Sequence, residues 1–242
     1  MNTNSCMLLV GNIEALVVRK PIKNLHLAVL PPMGKVRVSA PFAMKDDAIR
    51  TLLATRLTWI KRQQEKFKCQ ERQSPREYVS GESHYLWGNR YRLEVIYNNA
   101  PSRVSVKGKD KLVLSVRPNS DCKNREQVMI EWYRKGLRNV AADRIEQWQQ
   151  RISVRVNAWG IKRMKTRWGT CNPMSGRIWL NLELAKKREH CLDFIIAHEL
   201  THLLERNHNE RFKLHMDAFL PQWRQYKEEL NRTILSHENW VY

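Results

Sequence analysis

The sequence predicts an α+β fold: a strand-rich N-terminal region followed by a helix-rich region with a small antiparallel sheet. Three observations predict it. Short alternating runs broken by Gly, Pro and Asn fill residues 13–40 and 78–116. A long helical pattern follows the capping run Pro118-Asn119-Ser120-Asp121. A second helical pattern, Leu192 to Leu204, is preceded by two short strand-like segments. The division is expected at 117/118, giving a strand-rich region with one helix (1–117) and a helix-rich region (118–242).

The first region opens with EALVVRK and LHLAVL, then Pro-Pro-Met-Gly, then KVRVSAP. Gly34 ahead of Val36 and Val38 predicts a hairpin. One helix should follow Pro41 and run to about Phe67, with Asp46 and Asp47 in its first turn and Ile49, Leu52, Leu53, Leu57 and Ile60 as its stripe. The polar stretch from Lys68 to Arg76, ending in Ser74-Pro75, reads as a connection. Two further hairpins are implied, turning at Gly88-Asn89 and at Gly108-Lys109-Asp110.

The second region begins with a helix whose apolar positions are Val128, Met129, Trp132, Tyr133, Leu137, Val140, Ala141, Ile145 and Trp148. Its richness suggests that it supports the helix at 192–204. A strand is expected to start at Val154 and Val156, followed by a turn at Asn172–Gly176 and a strand carrying Ile178, Leu180 and Leu182. The backbone edge of that last strand, Arg177 to Asn181, is expected to be open to an extended peptide.

The chemistry is concentrated in FIIAHELTHLLERNHNERF. Residues four apart on a helix share a face, so His198 and His202 present two imidazoles to one ion, and Glu199 stands close enough to reach a water there. This is the H-E-x-x-H arrangement of zinc hydrolases. Asn207 reads as a left-handed helix stop and Asn209 as the N-cap of a further helix carrying Phe212, Leu214, Met216 and Phe219. His208 then lies on the turn as the third metal ligand, with Glu205, Glu210 and His215 as alternatives. Three protein ligands leave a coordination position open, which is the arrangement of a catalytic site. The 118–242 region therefore reads as a zincin-type metallopeptidase region.

Composition narrows the classes further. A chain of 242 residues with 42% hydrophobic residues can bury a substantial core. No stretch approaches the roughly 18 apolar residues of a membrane span, and MNTNSCMLLVGNIEALVVRK lacks the basic start of a signal peptide. No membrane association is expected. Five scattered cysteines without a C-x-x-C pair fit a reducing cytoplasm. Lys and Arg number 43 against 24 Asp and Glu, a formal charge of +19. That excess favours polyanions without specifying one, so nucleic acid is a possible partner through Lys61–Arg76 or through Lys162, Arg163, Lys165 and Arg167.

The segments Thr166-Arg167-Trp168-Gly169-Thr170-Cys171, Ile178-Trp179-Leu180-Asn181-Leu182, His198-Glu199-Leu200-Thr201-His202 and Asn207-His208 with Phe212 together resemble the YgjP-like metallopeptidase family, which is related to SprT-like proteases. Trp59-Ile60 and the Leu86, Gly88, Tyr91 segment also fit, so the resemblance spans nearly the whole chain. It implies His198, His202 and His208 as Zn2+ ligands and Glu199 as the catalytic carboxylate. Thr166 and Thr170 stand where serines are common. The ligand spacing equals that of metzincins, but Glu205 occupies the position of their glycine.

The expected activity is hydrolysis of peptide bonds in a protein or peptide substrate by a metal-activated water, with Glu199 as general base. Two other classes fit parts of the sequence: a nucleic-acid-associated, DNA-targeted protease like the SprT group, and a non-catalytic interaction protein stapled by zinc. Arg167 reads either as a partner for charge at the site or as part of a segment in which Trp168 packs and Gly169 permits a tight turn. Cys171 has no evident base beside it and is not read as a nucleophile.

Overall fold

The computed structural model describes residues 5–30, 33–68, 76–164 and 167–232. Cys69, the Ser74-Pro75 connection, Lys165, Thr166 and the end of the chain with Trp240 and Tyr242 lie outside the described residues. The described chain is α+β and forms two compact units, divided between Pro75 and Arg76. Among the described residues, no helix is long and apolar enough to cross a membrane.

In the first unit, strands β1 (Ser5–Val10), β2 (Ile13–Lys20), β3 (His26–Leu30) and β4 (Lys35–Pro41) form a sheet in the order β1-β2-β4-β3. The outer pairs are antiparallel hairpins and the central β2/β4 pair is parallel. The hairpin expected at Gly34 is present, with Gly34 at φ +67. Alternation then sorts the faces: Ile13, Ala15 and Val17 of β2 and Val36, Val38 and Ala40 of β4 are buried together. Helices α1 (Asp46–Thr55) and α2 (Leu57–Lys68) cover that face with Ile49, Leu53 and Ile60. The sequence pattern suggested one helix here. The chain instead breaks at Arg56, just after Thr55 turns its hydroxyl back onto the Leu52 carbonyl at 2.9 Å.

The second unit repeats this topology. Strands β5 (Ser83–Leu86), β6 (Asn89–Tyr97), β7 (Arg103–Lys107) and β8 (Lys111–Val116) run in the order β5-β6-β8-β7, again with hairpins flanking a parallel pair. Helix α3 (Cys122–Ile152) follows, capped by Asp121, whose carboxylate accepts from the Asn124 N–H at 2.7 Å. Met129, Tyr133, Leu137, Ala141, Ile145, Trp148 and Ile152 form its buried stripe, three or four residues apart. The helix ends at Ser153 in the left-handed conformation, and Gln149 accepts from the Val156 N–H at 2.7 Å. Residues 153–157 are therefore the exit from the helix, and the strand expected at Val154 begins only at Ala158.

Three strands come next: β9 (Ala158–Lys162), β10 (Gly169–Asn172) and β11 (Arg177–Asn181), in the order β10-β11-β9. The β10/β11 hairpin is antiparallel, and β9 joins β11 in parallel. The expectation of an open edge along Arg177–Asn181 is overturned, because β11 is hydrogen-bonded on both sides. Among the described residues the edge strands of this sheet are β10 and β9.

A short 3-10 helix (Leu182–Lys186) leads into α4 (Glu189–Thr201), and α5 (Glu210–Phe219) and α6 (Trp223–Arg232) complete the described chain. α4 is buried on nearly every side, by Cys191, Leu192, Phe194, Ile195, Ile196, Ala197, Leu200 and Thr201. α3 holds it by charge as well as by packing. Arg144 reaches Asp193 at 3.1 Å and Glu189 at 2.9 Å, and the Trp148 indole N–H donates to Asp193 at 3.0 Å. The β5/β6 turn braces the approach to α4: the Trp87 N–H donates to the Ala185 carbonyl at 2.9 Å and the Gly88 N–H to Lys186 at 3.3 Å.

Gly88 has φ +81, and a Cβ there would lie 2.4 Å from Cγ of Arg188, the N-cap residue of α4. Gly88→Ala is therefore expected to lower the unfolding free energy by about 1–3 kcal/mol. Urea denaturation measures this, and an unchanged midpoint would show that the brace is slack.

Candidate metal centre

His198 and His202 stand one turn apart on α4, their ring centroids 4.9 Å apart and nearly perpendicular at 88°. The helix ends at His202 by tightening. The Leu204 and Glu205 N–H groups both donate to the Thr201 carbonyl at 3.0 Å. Asn207 is not in the left-handed conformation expected of it; the tight turn over Thr201 reverses the chain in its place. Asn209 then caps α5, accepting from the Phe212 N–H at 3.0 Å.

Between turn and cap, His208 is carried back to α4. Its Nε2 lies 2.9 Å from Nε2 of His198, and one donor atom from each of the three histidines falls within 4.8 Å of the others. The alternative third ligands are engaged elsewhere: the Glu205 carboxylate accepts from Asn207 N–H, Glu210 pairs with Lys213, and His215 stacks on Phe219. Phe212, only 2% exposed, packs against all three rings at 4.9, 4.7 and 4.8 Å. Its role as the common floor of the cluster was not legible as such in the sequence, where it read as an apolar residue of the next helix and as part of the family resemblance.

The donor set fits a divalent ion. Burial and the neighbouring histidines push His198 down to about 3, and burial lowers His202 and His208 as well, so the rings are neutral lone-pair donors at neutral pH. His202 Nδ1 donates to the Glu205 carbonyl at 3.1 Å, which selects the tautomer with Nε2 available. Two neutral imidazoles meeting at 2.9 Å can share only one proton between them, whereas a cation satisfies both lone pairs.

Glu199 is 5% exposed, and burial pushes its carboxyl up to about 8, with Arg167 pulling the other way. It is sheltered by the edge strand. Gly169 pairs with Leu180 in β10, and a Cβ on Gly169 would meet Glu199 Oε1 at 2.6 Å and Cγ at 2.8 Å. The glycine is needed for this close approach, not for the tight turn expected from the sequence. Arg167 and Trp168 are held by Asn181, itself 5% exposed. Asn181 Nδ2 donates to the carbonyls of Met164 and Arg167, each at 2.7 Å, and its backbone N–H donates to Trp168 at 2.9 Å. The position of Arg167 beside the site thus comes from a buried asparagine fourteen residues on, a link no local pattern reveals. Cys171 lines the same cleft, and burial with the Glu199 charge pushes its thiol up to about 11, which keeps it protonated and a poor nucleophile.

The cleft has a volume of about 930 Å³. It is lined by residues Arg167 to Met174, by His198, Glu199, His202 and His208, and by Lys227 and Leu230 of α6. A histidine cluster and a buried carboxylate line one cleft together with the residues of β10, a set of groups suited to a metal-dependent peptidase. Residues 23–233 match the family model described as YgjP-like, metallopeptidase domain, and the chain belongs to that family. No curated protein matches the chain. Among solved structures, it is similar to the metallopeptidase zymogen abylysin of Pyrococcus abyssi, at 18% identity and TM-score 0.35, over 39% of this chain and 99% of that one. It is also similar to the metallopeptidase zymogen jannalysin of Methanocaldococcus jannaschii, at 20% identity and TM-score 0.34, over 37% of this chain and 92% of that one.

The buried carboxyl has a stability signature. Unfolded, Glu199 ionises near 4.5; folded, near 8. The folded state keeps the proton between these values, so this contribution is fully present below pH 4.5 and is lost as pH rises toward 8. In metal-free protein, Glu199→Gln is expected to gain roughly 4 kcal/mol at pH 8 and little at pH 4.5. Urea titrations at the two pH values measure the difference.

Proposed function

We propose that this chain is a zinc metallopeptidase in which His198, His202 and His208 hold the ion and Glu199 is the general base. The observation that carries the reading is the convergence of three neutral imidazoles beside a buried carboxylate, in a cleft that residues of β10 also line. A zinc ion bound there would polarise a scissile carbonyl and acidify a water molecule. Glu199 takes the proton of the attacking water and delivers it to the leaving amine. Burial raises its pKa in the metal-free protein, and a bound cation would lower it again, leaving the carboxylate ionised to accept that proton near neutral pH. Gly169 and Asn181 act as positioning residues, one by leaving room for Glu199 and the other by holding the Arg167-Trp168 segment.

The substrate is proposed to be an extended peptide lying along β10. Among the described residues this strand pairs only with β11, so its other edge offers backbone donors and acceptors that recognise any sequence. Zinc as a mere staple would give Glu199 no role, although its burial costs stability. A cytoplasmic setting belongs to the same proposal, supported by the free state of Cys6, Cys122, Cys171 and Cys191.

Zinc-loaded protein is expected to cleave an unfolded protein such as reduced casein. Glu199→Gln should lower kcat at least about 100-fold with zinc content unchanged; equal cleavage by this variant would exclude the mechanism. Gly169→Ala should keep the zinc and also lose kcat, because the new methyl group must displace the Glu199 carboxylate. Activity of Gly169→Ala equal to wild type would remove the positioning role of the glycine.

A further inference from the structure

We propose that His190, Cys191 and Glu229 form a second metal site, suited to zinc, that fastens α6 to the first turn of α4. One donor atom from each of these residues lies within 4.8 Å of the others. Tetrahedral bonds of about 2.0–2.3 Å set zinc donors roughly 3.3–3.7 Å apart, so small rotations suffice to close the three on an ion. The His190 Nε2 to Glu229 Oε2 separation is 2.7 Å, a hydrogen bond that an ion would replace by opening it. The histidine cluster shows the same collapsed spacing between His198 and His208.

The surroundings favour an ion over an ordinary surface pair. Cys191 is 1% exposed, so its sulfur sits in the core at the inner side of the pair, where a His–Glu ion pair alone has no use for it. His190 and Glu229 are 32% and 34% exposed and leave an access route from solvent. Tyr226 stacks on the His190 ring at 4.6 Å and fixes its plane. Thiolate, imidazole and carboxylate together carry two negative charges, which a divalent ion matches, and Arg188 stands 3.8 Å from the other Glu229 oxygen at the rim. On binding, the thiol proton leaves to solvent and a sulfur–metal bond replaces the S–H bond.

The site lies about two turns before His198 on the same helix and uses none of the residues of the catalytic cleft. Its consequence reaches the cleft through α6, which carries Lys227 and Leu230 in the cleft wall. A metal joining α4 to α6 would hold that wall in place.

Cobalt(II) distinguishes the two sites, because only a sulfur ligand gives a thiolate-to-cobalt charge-transfer band in the near ultraviolet, and the histidine cluster has none. Full-length protein loaded with cobalt is expected to bind about two ions per chain and to show that band. Cys191→Ser should lose the band and about one ion. His190→Ala and Glu229→Gln, at partly exposed positions, should do the same and decide the matter if Cys191→Ser does not fold. His202→Ala should lose the other ion's uptake and keep the band. Cys171→Ser, and a variant with Cys6, Cys69 and Cys122 all changed to serine, should keep it too. A single bound ion without the band, or a band that follows any cysteine other than Cys191, would overturn the proposal.

Discussion

Lone pairs brought together repel, and the centre of this structure is the work of holding three of them in one place. His198, His202 and His208 point donor nitrogens into a space less than 4.8 Å across. In water such rings would turn away or take up protons. Here they do neither, because burial disfavours the charged form and Phe212 fixes all three planes from below. α4 must therefore be rigid, and the second unit is arranged to make it so. α3 lies along it with a buried stripe and a charged clamp, α5 returns His208, and the β5/β6 turn braces its start.

Glu199 imposes a second demand. A carboxylate 5% exposed beside the histidines is costly to ionise, and the fold meets that cost with shape more than with charge. Gly169 lets the edge strand close over it, while Asn181 satisfies the carbonyls of the segment that brings Arg167 near. Among the described residues the same strand pairs with β11 alone, and its residues also line the cleft that holds the carboxylate.

Much of this could be read from the residues, and the limits are physical. Helical periodicity located α3, α4 and α5 because their stripes bury residues at fixed spacing, and the H-E-x-x-H spacing located the centre because helix geometry alone puts His198 over His202. Asn209 as a cap and Gly34 as a turn were legible because each acts on its own neighbours. Long-range facts were not legible. The sheet order that makes β11 central depends on β9 pairing in parallel from nineteen residues away, and nothing in Ile178, Leu180 and Leu182 says which side is covered. Gly169 looked like a turn residue because a missing side chain has two uses, and only the approach of Glu199 tells them apart. The helix break at Arg56 and the strand delayed to Ala158 follow from local hydrogen bonds that override an apolar pattern. The repeated sheet topology of the two units leaves a short sequence echo, Gly11-Asn12 and Gly88-Asn89 at the first hairpin turn of each, while the strands themselves differ because many side-chain sets satisfy one strand order.

The central claim is that three histidines hold the ion while Glu199 stays outside its ligand set. Anomalous diffraction from crystals of the zinc-loaded protein tests it most directly. The account predicts zinc at about 2.0–2.1 Å from one nitrogen each of His198, His202 and His208, with a solvent position completing the site and no bond to Glu199. Zinc bound by the Glu199 carboxylate, or closed off by a fourth protein ligand, would contradict it.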